Sequence, residues 1–181
     1  MQRLTSTARQ IWTRETLEVT FAAERAKLPE PLRDVVPEII LVDNRDRVLE
    51  TPWAEIYGVK PDVELNRVTA STDPVLGRIV IYQNGDLRDE PDWQGALVDL
   101  REELGHSLAV HLFNSPEPPV EWRQVMASED LLSAAPGDDF PREDWALAIA
   151  LWLADEAEFI AAYPQRASFL RRFGFGTIKT V

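Results

Sequence analysis

Apolar and polar positions along the chain divide it into a series of short elements. Ile11, Leu17, Phe21 and Leu28 form a loose helical stripe, which predicts a helix over residues 5–28 with Thr5, Ser6 and Thr7 as caps. Glu30-Pro31 should end it, and a turn over 31–36 follows. The β-branched run Ile39-Ile40-Leu41-Val42, bounded by Pro37 and Asp43-Asn44, predicts a buried strand. Residues 45–75 carry weaker signals, with strand pieces at 48–49, 55–57 and 63–68. Residues 77–82 read as the best strand of the chain, closed by Asn84-Gly85.

After Pro91 the period changes. Trp93, Leu97, Leu100, Leu104 and Leu108 fall within a stripe under about 100° wide, which predicts a helix over 92–113. Asn114 and the prolines at 116, 118 and 119 stop it. Residues 115–140 read as a long loop with one short helix over 120–126. Pro141, at a first-turn position behind Asp138 and Asp139, opens a helix over 142–162 that carries Trp145, Ile149, Trp152, Leu153 and Phe159. A further short helix follows Pro164, and Gly174-Phe175-Gly176 reads as irregular. The pattern describes one α+β domain over residues 1–181, a small mixed sheet packed with helices.

Composition narrows the function classes. Six Trp and seven Phe supply a packed core. Thirty-one acidic residues against 19 basic ones give a net charge of −12, which repels phosphate backbones and anionic lipid. Nucleic acid and membrane are therefore not expected partners, and a protein partner is. The absence of Cys removes disulfides, thiolate metal ligands and a cysteine nucleophile. No apolar run approaches the roughly 20 residues of a membrane span, and the first residues lack the apolar core of a signal peptide. These features point to a soluble, cytoplasmic chain.

The only histidines, His106 and His111, share the helix over 92–113. With Leu100 at the origin of a helical wheel, Glu102 falls at about 200° and His106 at about 240°, opposite the leucine stripe. A carboxylate and an imidazole one turn apart can bind one metal ion. His111 falls on the core side and cannot join them. Asp99 lies on the polar face, too far along the axis to be more than a supporting group. Arg166, Arg171 and Arg172 read as a solvated basic face.

The segment Glu102-Glu103-Leu104-Gly105-His106 resembles the active-site helix of zincin metallopeptidases, H-E-L-G-H, in four of five letters. A strand like 77–82 precedes that helix in zincins and a long insert follows it. Gluzincin-type members with a lethal-factor-like core continue with a helix of pattern E-D-F-A-E-A, whose second Glu is the third zinc ligand. Here residues 143–148 read Glu-Asp-Trp-Ala-Leu-Ala, so Leu147 stands at the ligand position. Residues 163–170 look like the closing segment of such domains. The resemblance covers roughly residues 76–172. It implies a zinc ligand at His106, a general base at Glu103, and Glu102 in place of the first histidine. A shift of one turn would bring Glu143 to the place of Leu147, because the two share a face.

Zinc needs three protein ligands and an open position to activate water, which the motif Glu then deprotonates. With Glu102 and Leu147 at two ligand positions, the sequence favours a zincin-like pseudoenzyme that holds no cofactor and acts as a binding or regulatory module. Zinc is the metal expected if one is bound. Leu147 and Leu151 would then fill the cleft, and Glu102 would turn to solvent or to Arg101 or Arg142. Two alternatives remain. One is an active metal-dependent hydrolase using Glu102, His106 and a third ligand from Glu117, Glu121, Asp138 or Asp139. The other is an acidic interaction domain of inhibitor or immunity type, whose charge steers a basic partner to it.

Overall fold

A computed structural model of the chain describes residues 11–36, 38–42, 69–82, 92–130, 132 and 140–176. The described elements are mixed α+β: a three-stranded sheet and seven helices.

Helix α1 spans Arg14–Lys27 and starts later than the sequence predicts. Its cap is Thr13, whose hydroxyl accepts from Thr16 N at 3.1 Å while Thr13 N donates to Thr16 Oγ1 at 2.9 Å. This reciprocal capping satisfies two otherwise orphaned amides. Residues 5–7, expected as caps, lie outside the described residues. Leu17 and Phe21 face the core, and Arg25 and Lys27 suit the negative end of the helix dipole. Pro31 does not merely end α1: it sits in the first turn of a short helix α2, Glu30–Arg33, where a missing amide costs nothing.

Strand β1 is Ile39–Val42, β2 is Ala70–Thr72 and β3 is Ile79–Tyr82, in the order β1-β3-β2. β1 runs parallel to β3, with Ile39 opposite Ile79. β2 runs antiparallel to β3, with Thr72 opposite Ile79. The central strand β3 buries Ile79 and Ile81. β1 is only half-buried along its length, less than its apolar run implies. β2 falls in the stretch with weak sequence signals, because three residues of Ala-Ser-Thr carry no apolar alternation. The strand pieces predicted at 48–49, 55–57 and 63–68 lie outside the described residues.

The β2–β3 connection is local chemistry. Asp73 Oδ1 accepts from Val75 N and Leu76 N, and Gly77 takes a left-handed φ of 64°. A Cβ on Gly77 would lie 2.6 Å from His111 Nε2. His111 thus packs over the turn from an exposed position, instead of the core edge expected for it.

Helix α3 spans Trp93–Phe113 as predicted. Asp92 caps it by accepting from Gly95 N at 2.9 Å, and Asn114 closes it in the left-handed conformation, φ 50°. Leu100, Leu104 and Leu108 are fully buried. Trp93, at the start of the predicted stripe, is half exposed and meets Trp12 edge-on at 5.5 Å.

Helix α4 is Val120–Ser128. The single helix expected over 142–162 is two: α5, Phe140–Ala154, and α6, Glu156–Ala162. Asp155 divides them, because its side chain caps α6 through Glu158 N at 2.9 Å. Asp in this role competes with helix continuation. Helix α7, Pro164–Leu170, opens on its proline.

Helices α1 and α3 pack on the sheet, α5 packs on α3, α4 and α6 pack on α5, and α7 packs on α4 and α6. Trp122, Trp145, Phe113, Phe169 and Phe173 interlock there through edge-on ring contacts of 5.1–6.1 Å and one tilted contact. Phe175, in the supposedly irregular tail, is fully buried against Trp152.

Candidate functional site

The site grows from one close approach. A Cβ built on Gly105 of α3 would lie 2.6 Å from the Cα of Ala146 on α5. Only glycine lets the two backbones come this near. Trp145 Nε1 donates to Gly105 O at 2.8 Å and locks the register. The next residue on α3, His106, then faces the first turn of α5.

There His106 Nε2 lies 3.4 Å from Glu143 Oε2. The second oxygen of Glu143 accepts from Arg142, with Nε and Nη2 each at 3.0 Å. Glu143, and not Leu147, is therefore the side chain of α5 that meets His106. Leu147 is half-buried one turn further on, and Leu151 is 39% exposed, so the pair does not form the closed apolar wall expected of it.

The acidic face of α3 is tied to β2. Thr72 Oγ1 donates to Glu103 Oε2 at 2.6 Å and stands 3.1 Å from Glu103 O. One hydroxyl proton serves one of these oxygens at a time, and a protonated Glu103 would supply the second donor. Three residues earlier, just before β2, Thr69 Oγ1 donates to Asp99 Oδ2 at 2.8 Å. Asp99 is thus anchored to the sheet. Arg101 turns away from Glu102 and pairs with the buried Glu24 of α1, Nε to Oε2 at 2.8 Å. Glu102 therefore takes neither arginine expected for it: Arg101 serves Glu24 and Arg142 serves Glu143.

The electrostatics separate these carboxylates. Burial raises Glu102, and the Asp99 charge adds to it, bringing the group to about 7. Burial likewise raises Glu103, outweighing His106 and the Thr72 hydrogen bond. Glu143 is also pushed up by burial, but the hydrogen bond and charge of His106, with Arg142, hold it down at about 2. Burial pulls His106 down, while Glu143 and Glu103 together raise it above its ordinary value, against the opposing charge of Arg142.

A zinc ion of the kind the motif implies needs three side chains converging on one point. Among the described residues no group of three or more His, Cys, Asp or Glu side chains is arranged to hold a metal ion. Both oxygens of Glu143 are engaged, and the nitrogen of His106 that faces α5 points at that carboxylate. The guanidinium beside them is a permanent positive charge. The residues as placed do not fit a zinc centre. Glu117 and Glu121 do not complete one, and Asp138 and Asp139 lie outside the described residues.

A second polar cluster escaped the sequence reading. Arg166 is fully buried, not part of a solvated face. Its Nη2 donates to Asp144 Oδ2 at 2.7 Å, its Nε to Asp144 Oδ1 at 3.0 Å, and its Nη1 to Glu129 Oε2 at 3.0 Å. Glu129 also accepts from the first amides of α7. The one sequence signal was Asp144 beside Trp145 at the start of a helix apolar on two sides.

No family model, curated protein or solved structure matches the chain. Among the described residues no helix is long and apolar enough to cross a membrane.

Proposed function

We propose that this chain is a zincin-like domain that no longer performs peptidase chemistry and acts as a binding module for another protein. The observation that carries the reading is the ion-paired chain Arg142–Glu143–His106, which engages His106, the one residue that matches a zinc ligand of the resemblance. Supporting it are the strand leading to the motif helix, the helix that returns over it, and the Gly105–Ala146 contact that brings the two together. Glu103, at the general-base position, accepts a hydrogen bond from Thr72. With a net charge of −12, the partner is expected to be basic, and the association to weaken with salt.

Metal content of the purified chain, measured by mass spectrometry, tests this together with hydrolysis of an unstructured protein substrate with and without zinc. The expected result is no retained zinc and no hydrolysis in either condition. A stoichiometric ion and zinc-dependent hydrolysis, both lost in His106→Ala, would overturn the reading in favour of a hydrolase with altered ligands.

A further inference from the structure

The geometry points to Arg142 as the residue that excludes a divalent cation from the α3–α5 junction, standing there as a fixed positive charge in the cation's stead. The inference rests on the zincin-like reading and assigns the loss of metal to one side chain beyond the two altered motif positions.

Arg142 lies in the first turn of α5, the positive end of that helix dipole, where a cation is disfavoured. A guanidinium held there needs a specific partner, and Glu143 is that partner through two nitrogens at 3.0 Å. The Arg142 side chain is only 11% exposed, so water screens it weakly. Glu143 is a carboxylate of the kind zinc accepts, on the correct helix and already 3.4 Å from His106. What separates this pair from a ligand pair is the guanidinium on the other carboxylate oxygen. A divalent ion between His106 Nε2 and Glu143 Oε2 would sit beside this like charge, which the neighbouring Oε1 holds in place. Glu102, one turn from His106 on α3, is the motif position altered from histidine. Leu147, the residue the motif comparison blames, is one turn away from this meeting point and need not change.

Zinc titration by calorimetry of Glu102→His, Arg142→Ala and the double variant tests the assignment. Circular dichroism and a urea transition on each variant establish that it is folded. Arg142→Gln, which keeps the side-chain length and drops the charge, replaces Arg142→Ala if that variant unfolds. The double variant is expected to bind one zinc per chain. Glu102→His alone should bind about 100-fold more weakly, the order expected for adding a like charge in a partly buried site. Adding His106→Ala to the double variant should abolish binding. Equal affinity of Glu102→His with and without Arg142 would overturn the role of Arg142. A folded double variant that binds no zinc would overturn the inference altogether. Either failure is separate from the question of peptidase activity, which is read on the wild-type chain.

Discussion

His106 and Glu143 lie 3.4 Å apart across two helices because Gly105, the residue before His106, carries no side chain. The sequence motif and the helix packing are thus one feature. The glycine that makes the segment look like a zincin motif also sets the distance at which α5 passes over α3.

Gly105→Ala is the direct test of that packing. Alanine is better than glycine in a helix interior by about 1 kcal/mol, so an isolated helix would gain. Here the new methyl meets the backbone of Ala146, which cannot rotate away. A net loss of up to about 2 kcal/mol is expected in urea unfolding, the roughly 1–3 kcal/mol of overpacking minus the propensity gain. A stabilised variant would show that the two helices are free to separate.

The pH dependence of stability follows from the same cluster. Glu143 is held at about 2, below its unfolded value of 4.5, so its contribution is complete above about 4.5 and is lost as pH falls towards 2. Glu102 is raised to about 7, so the folded state loses stability as pH rises from about 4.5 through 7. His106, raised above 6.5, contributes below that value, and its contribution fades as pH climbs through its folded pKa. All three place the maximum on the acid side of neutrality, near pH 5. Urea midpoints at pH 3, 5 and 8 should show it, and Glu102→Gln should flatten the limb between pH 5 and 8.

Removing one member of the buried ion cluster should be costly. Asp144→Ala strands the fully buried Arg166 guanidinium on the Glu129 side alone, with an expected loss of about 3–5 kcal/mol. Replacing the pair together, Asp144→Leu with Arg166→Met, leaves no uncompensated charge and should cost less than the single change. A double-mutant cycle by chemical denaturation reads the difference.

Thr72→Val keeps the shape of the side chain and removes its hydroxyl. Glu103 then loses its donor on the β2 side, at an expected cost of about 1–2 kcal/mol. If Glu103 instead found water there, the urea midpoint would hardly move.

Several elements were legible because their causes are local. Asp92 and Asn114 bracket α3 by capping chemistry that acts within one turn, and the prolines at 118 and 119 precede α4. Strands β1 and β3 announced themselves by β-branched runs, and their parallel pairing came from the structure. The division of α5 from α6 was missed because Asp155 looks like an ordinary polar position within a helical stripe. Its role as a cap depends on where the chain turns, which periodicity does not encode. β2 was missed because its stability comes from pairing with β3 and from Thr69 and Thr72 reaching α3, not from its own residues.

The candidate site divides along the same line. Sequence alone determined that Glu102, Glu103 and His106 share one helix, with Glu102 and His106 one turn apart, because helical geometry places side chains by residue number. It also placed Glu143 and Leu147 on one face of a later helix. Which of those two meets His106 was decided by the tertiary structure. The choice is one helical turn, about 5.4 Å of axial register, and it is set by where Gly105 admits Ala146. The burial of Arg166 was decided in the same way. A charge is buried only when its partners converge from elsewhere, and Asp144 and Glu129 arrive from two other parts of the chain.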